Sequence, residues 1–207
     1  MEIIPVKYGE STLPENMIFI NGDKNKIRDI VFKVYLIQAD EKLVLVDAGC
    51  ETMPGFVMKN FIGTVKALKN INVSPEEITD VVITHSHHDH IECVKYFKNA
   101  VIHIEKDEYE SGKHYIPDDF KVNIFSDGFM VCKNIKAVKI GGHSKGSCVV
   151  EISDGSKIYV ISGDECYLRE CLTQKIPTGS SFNPKSSMYF IEKYDDAKYD
   201  VLLCHDN

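Results

Sequence analysis

The chain has 207 residues, 43 % of them hydrophobic and 27 % charged, which is the composition of one globular domain with a sizeable core, expected to span residues 1–207. Its net charge is −7, with Arg28 and Arg169 the sole arginines and the lysines scattered, so a phosphate backbone is disfavoured and no nucleic-acid partner is expected. No apolar run reaches the roughly 18–20 residues that span a bilayer, and the opening "MEIIPVKYGE" has no basic start and no long apolar stretch, so a cytoplasmic protein without membrane attachment is expected.

In chain order, "EIIPVKY", "NMIFI", "IVFKVYLIQ" and "KLVLVD" are rich in β-branched and aromatic residues and read as strands. The polar stretch Ala39–Lys42 predicts a hairpin between the last two. Residues 54–69 place Phe56, Val57, Phe61, Val65 and Leu68 at helical spacing and predict a helix. Ser74-Pro75-Glu76-Glu77 reads as a short helix start, with a capping serine, a proline in the first turn and Glu77 to complete a capping box. "DVVIT", Asp80–Thr84, predicts a buried strand. A helix near Glu92–Lys98, the strand "AVIHIE" and a helix near Lys106–Ser111 follow.

Residues 112–128 predict a polar and aromatic loop containing Tyr115, Phe120 and Phe125. "FMVC", "IKAVKI", "SCVVEIS" and "KIYVIS" are four further strands, the last two joined by a turn at Asp154-Gly155. A helix near Lys185–Tyr194 and a strand "DVLLC" complete the reading. Two strand-rich halves, each with helices, predict an α+β fold in which two sheets pack together with helices outside. The seven cysteines, Cys50, Cys93, Cys132, Cys148, Cys166, Cys171 and Cys204, are odd in number, irregular in spacing and contain no C-x-x-C pair. They read as reduced thiols, neither a disulfide framework nor a zinc finger.

The chemistry concentrates in "THSHHDHIE", Thr84–Glu92. His85, His87, His88, Asp89 and His90 fall within six positions at the end of a predicted strand. Like-charged imidazoles at this density repel one another when protonated, so a core role is implausible and a metal site is indicated. His85 and His87, two apart, can approach one ion, and Asp89 and His90 can serve a second. A zinc ion needs about four ligands, so others are expected downstream. Three further strand ends supply them: His143 in "GGHSKGS", Asp164 in "ISGDE" and His205 in "LLCHDN".

Together these residues resemble the metallo-β-lactamase superfamily of αββα dinuclear hydrolases, from about Val31 onward. The H-x-H-x-D-H element is matched in full, and "LVLVDAG" is similar to the family's strand ending in an aspartate, here Asp47. The resemblance implies that His85, His87 and His143 hold one ion and that Asp89, His90 and His205 hold the other. Asp164 would bridge both, and Asp47 would orient the site without binding metal. His88, His103 and His114 match nothing in the motif and read as surface or loop residues. Two zinc ions per chain are implied, with iron or manganese as alternatives.

By the same resemblance the reaction is hydrolysis by a hydroxide shared between the ions, with Asp89, Asp164 and Tyr167 as its catalytic residues. His87 stands where the redox di-iron branch resembles H-x-E-x-D, which favours zinc hydrolysis. The spacing Asp164-x-x-Tyr167 and the pair His205-Asp206 are similar to the N-acyl homoserine lactone lactonases, in which the tyrosine hydroxyl stabilises the tetrahedral intermediate. A lactone or related small ester is the implied substrate. A glyoxalase-II-like thioesterase and a non-hydrolytic di-iron redox or sensor protein are the alternatives. Loop 112–128 is a candidate wall for the acyl pocket.

Overall fold

The computed structural model describes residues 1–39 and 41–207. Asp40, in the predicted Ala39–Lys42 turn, lies outside the described residues. Eleven strands form two sheets among the described residues. The first contains β1 (Glu2–Pro14), β2 (Ile27–Ala39), β3 (Lys42–Val46), β4 (Asp80–Ile83), β5 (Val101–Glu105) and β6 (Lys121–Phe125), in that order across the sheet. β1, β2 and β3 pair antiparallel, so the expected hairpin between β2 and β3 is present; β3 to β6 run parallel. The second sheet has the order β11-β10-β9-β8-β7, from β7 (Gly128–Cys132), β8 (Ile135–Lys139), β9 (Cys148–Ser153), β10 (Ile158–Ile161) and β11 (Tyr199–Leu202). Only β10 and β11 are parallel here.

Side-chain alternation decides how the layers stack. Tyr35, Ile37, Val44, Val46 and Val82 on the first sheet meet Ile135, Ala137, Val150, Ile152 and Ile161 on the second, forming the seam between sheets. Their neighbours Leu36, Leu45, Val81 and Ile83 point the opposite way, into a second apolar cluster that includes Leu68 of α2 (Thr64–Asn70). The same cluster takes in Phe190, Ile191 and Tyr194 of α6 (Pro184–Tyr194), packed with Val149, Val160 and Val201 of the other sheet. Strands buried on both faces read as continuous apolar runs, as "KLVLV" and "DVVI" do. The result is an α+β, αββα four-layer sandwich.

Several elements differ from the sequence reading. "NMIFI" is not a strand: β1 ends at Pro14, and α1 (Glu15–Ile18) turns the chain so that Ile18 and Phe19 are buried. Of residues 54–69 only the last turns are helical. Gly55 and Gly63 adopt φ of +86° and +77°, and a Cβ on Gly63 would lie 2.3 Å from Glu51 Oε2. The preceding segment is irregular and leaves Val57 83 % exposed. Residues 112–128 are not one loop, since β6 pairs with β5 inside them. The helix after the histidine cluster begins within it, as α3 (His88–Ile91), and continues as a 3-10 turn over Glu92–Tyr96. α4 (Lys106–Gly112) lies where expected; α5 (Arg169–Thr173) has no counterpart in the sequence reading. Ser74-Pro75-Glu76-Glu77 does form a capped 3-10 turn, with Ser74 N–H donating to Glu77 Oε2 at 2.7 Å.

Candidate metal centre

The ends of β3 and β4, the β8–β9 connection and the segments after β10 and β11 converge on one edge of the sandwich. Asp47, just past β3, turns with φ +63°. Its carboxylate accepts Thr84 N–H at 2.7 Å and Thr84 Oγ–H at 2.9 Å, which ties the end of β3 to the end of β4. Glycine is required nearby: Gly49 has φ +68°, and a Cβ there would lie 1.9 Å from Thr64 Oγ1.

The histidines are oriented from behind. His90 Nδ1–H donates to Asp47 Oδ2 at 2.7 Å, His143 Nδ1–H to the Ser180 carbonyl at 2.6 Å, and His205 Nδ1–H to the Val31 carbonyl at 2.9 Å. Thr84 Oγ1, which donates to Asp47, lies 3.1 Å from His85 Nδ1 and accepts from it. Each ring therefore turns Nε2 inward, the arrangement in which a second partner fixes a ligand imidazole. His87 faces the same point through Nδ1, 3.1 Å from His85 Nε2 and 2.9 Å from His143 Nε2. Ring nitrogens this close repel unless a proton or a cation lies between them.

Asp164 divides its two oxygens between two groups. Oδ2 lies 3.6 Å from His85 Nε2 and 3.4 Å from His143 Nε2. Oδ1 lies 3.1 Å from His90 Nε2 and 2.9 Å from His205 Nε2. Asp89 Oδ2 completes the second group, 3.5 Å from His90 Nε2 and 3.8 Å from His205 Nε2. The donor atoms of His85, His87, His143 and Asp164 fall within 4.8 Å of one another, as do those of Asp89, His90 and His205. His90 Nε2 is buried and makes no hydrogen bond. An orphaned nitrogen among imidazole and carboxylate donors fits borderline-soft divalent cations such as zinc.

Electrostatics follow the same division. Burial pushes His85 well below the usual histidine range, aided by the neighbouring His90 and opposed by Asp164; burial likewise lowers His143. At His90 burial also opposes the charge, but Asp164, Asp47 and Asp89 outweigh it and raise the ring well above that range. His205 is raised in the same way by Asp164 and Asp89. Burial would raise Asp164, yet His90, His205, His85 and His143 hold it well below the carboxylate range.

A cavity of about 420 Å³ opens over these groups. Leu13, Met17, Ile30, Phe32, Met53 and Phe56 form its apolar side. Loop 112–128 contributes none of the wall: Phe120 packs against the core, Phe125 lies in the seam between sheets, and Tyr115 OH sits 3.1 Å from His88 Nδ1. Tyr167 borders the cavity, 6 % exposed and outside any helix, stacked on His205 with centroids 4.9 Å apart. Burial, and then Asp164, raise its phenol well above the usual range. A larger cavity of about 590 Å³, near Lys33, Tyr35 and Arg169, contains none of the expected ligands.

Of the remaining histidines, His114 is exposed as expected, and His88 lines the cavity rim. His103 is not a surface residue: it is 4 % exposed, with Nε2 2.9 Å from Asp80 Oδ1. The cysteines are free thiols, and burial pushes Cys50 up to about 12. Sequence reasoning missed Glu165, which accepts Gly142 N–H at 3.1 Å, His143 N–H at 3.2 Å and Ser147 Oγ–H at 2.5 Å. Its place beside Asp164 was the available signal. The Ser180 and Val31 carbonyls carry no side-chain signature at all.

Fold and donor set define a class, and the chain belongs to the metallo-β-lactamase superfamily, whose pattern matches residues 33–204. Among curated proteins it is 31 % identical over 149 residues to the probable metallo-hydrolase MJ0296 of Methanocaldococcus jannaschii, covering 72 % of this chain and 66 % of that protein. It is 28 % identical over 134 residues to the N-acyl homoserine lactonase AiiB of Agrobacterium fabrum, covering 56 % of this chain and 49 % of that one. The chain thus spans from about half to about two thirds of the length of these relatives. A solved N-acyl homoserine lactone hydrolase, with N-hexanoyl-L-homoserine bound at its catalytic metal centre, superposes with a TM-score of 0.86 at 20 % identity, covering 99 % of this chain and 92 % of that one. Among the described residues no helix is long and apolar enough to cross a membrane.

Proposed function

We propose that residues 1–207 form one metallohydrolase domain that opens a lactone or related small ester with two zinc ions. His85, His87 and His143 would hold the first ion, Asp89, His90 and His205 the second, and Asp164 would serve both. The observation that carries this reading is the division of Asp164, whose two oxygens face two separate histidine groups. When bound, two divalent ions lower the pKa of water toward neutrality and polarise an ester carbonyl. The lactonases among its relatives and the apolar cavity wall support a lactone with an acyl chain as substrate.

The chain's own residues then divide the work. Asp47 holds His90 and Thr84 in place and stays out of the reaction. Tyr167 faces the cavity with a phenol that burial keeps protonated, so its hydroxyl is a donor for a developing oxyanion. Asp89 is the more accessible of the two carboxylates, with its side chain 13 % exposed against 3 % for Asp164. It is the group placed to carry a proton to the departing alkoxide. Burial raises the Cys50 and Cys148 thiols, and none of the cysteines lines the cavity, so none supplies a nucleophile. Seven free thiols accord with a cytoplasmic setting.

The test is a hydrolysis panel of lactones, thioesters, β-lactams and phosphodiesters on zinc-loaded protein, with elemental analysis alongside. Lactones with an acyl chain are expected to be turned over best. Preference for thioesters would favour the glyoxalase-II-like reading, and iron with a visible absorption band would favour the redox one.

A further inference from the structure

His87 and His143 stand on separate loops, one after β4 and one between β8 and β9, yet their ring nitrogens approach to 2.9 Å. Some element must fix that spacing. We propose that Glu108, on α4, is the positioning residue that gauges the two loops of the first metal site against each other. The inference rests on the metal-binding reading above.

The geometry divides the Glu108 carboxylate cleanly. Oε2 accepts Ser86 N–H at 2.8 Å and Ser86 Oγ–H at 2.7 Å, and Ser86 lies between His85 and His87. Oε1 accepts Ser144 Oγ–H at 2.6 Å and Gly146 N–H at 2.8 Å, on the loop of His143. The side chain is 3 % exposed, so these four donors replace water. A carboxylate is the one side chain that accepts at both oxygens. Glutamine would keep the shape but set an NH2 against the donors of one loop.

The helix bearing this carboxylate is itself anchored. Glu105 caps it, accepting Asp107 N–H at 2.5 Å, and binds Lys139 Nζ at 2.8 Å at the end of β8. Two glycines permit the close approach. A Cβ on Gly146 would lie 2.1 Å from Glu105 Oε2 and 2.9 Å from Glu108 Cγ, and one on Gly112 would lie 2.7 Å from Ser86 Cβ. The second group is held by other partners: Asp47 for His90, the Val31 carbonyl for His205, and Tyr8 OH donating to the Asp89 carbonyl at 2.8 Å. Glu108 hydrogen-bonds none of these.

The consequence is selectivity, and zinc affinity reads it without reference to turnover. Glu108→Gln is placed in two backgrounds, His205→Ala, which leaves the first group whole, and His143→Ala, which leaves the second. Zinc dissociation constants are measured by competition with a chromophoric chelator. In the first background affinity is expected to fall roughly 10–100-fold, as when the partner of a metal ligand is removed. In the second it is expected to hold within about 2-fold, as for groups without shared contacts. Ser144→Ala, a milder lesion of the same bridge, is expected to shift the first background in the same direction by less. Equal loss in both backgrounds would mark a general structural defect and overturn the proposal, as would unchanged affinity in the first. Wild-type protein that binds no zinc would instead refute the metal reading itself.

Discussion

Strand β4 has a buried histidine–aspartate constellation at each end, and the two differ in how their lone pairs are used. At its start, Asp80 Oδ1 accepts from His103 Nε2 at 2.9 Å and Lys42 Nζ at 2.8 Å, and Oδ2 from Thr79 Oγ1 at 2.7 Å. His103 Nδ1 lies 3.3 Å from Asn123 Nδ2, and its ring stacks on Phe129 at 5.0 Å. Both nitrogens of this histidine have partners, and the apolar seam covers it. At the other end, His85, His90, His143 and His205 each give Nδ1 to a partner behind the ring, and their Nε2 atoms converge on Asp164. Burial is common to both ends. What separates the two ends is the second nitrogen, turned to strand neighbours at one end and to the shared Asp164 carboxylate at the other.

That contrast can be broken at either end. The largest effect is expected from Asp164→Ala, which removes the carboxylate shared by both groups; the variant should lose bound zinc and hydrolysis together, as elemental analysis would show. Full metal content would sink the bridging role. Asp47→Ala frees His90 and Thr84 but removes no donor atom, so zinc affinity should drop roughly 10–100-fold. Tyr167→Phe keeps the ring stacked on His205 and deletes the hydroxyl proposed to stabilise an oxyanion. With part of the charge carried by the ions, kcat on lactones should fall about 5- to 50-fold with little change in KM. An unchanged kcat would remove the tyrosine from the reaction.

The smallest effect on metal should come from the opposite end. His103→Gln is expected to leave zinc content unchanged while costing on the order of 1–3 kcal/mol of stability through unpaired buried groups. Acid unfolding sharpens the point. Burial would raise Asp80, but His103, Lys42 and Thr79 outweigh it and hold the carboxyl at about 2. A depressed carboxylate contributes stability above its ordinary pKa of 3.8 and loses it as the pH falls through about 2. Asp80→Asn should therefore flatten that limb of the pH–stability curve measured by thermal melts.

The convergence of the histidine cluster with His143, Asp164 and His205 was legible because such a set is written in side chains placed at strand ends. His103 was misread for the converse reason. Its partners Asp80, Asn123 and Phe129 come from three different strands, and nothing local to "AVIHIE" announces them. "NMIFI" has strand composition, yet burial of Ile18 and Phe19 is met by a single helical turn, an override of propensity by packing. Loop 112–128 was the candidate wall, whereas Leu13, Met17, Ile30 and Phe56 line the cavity and look like ordinary core residues until the first sheet and the 50–63 segment come together. Glu108 and the backbone carbonyls that orient His143 and His205 are positional facts, which composition does not encode.

The hydrogen bond from His205 to the Val31 carbonyl joins residues 174 apart in sequence, and Val31 N–H returns to the His205 carbonyl at 3.0 Å. During synthesis, a chain that has made everything through β9 holds His85, His87 and His143 but has yet to make Asp164, β11 or His205. The shared carboxylate and the second histidine group appear only when the last two strands pair in parallel, a non-local closure that is slow by nature. A local zinc finger lets the ion organise the peptide as it emerges. Here the full donor set exists only in the assembled sandwich, so an ion held by it would add to the stability of the native state.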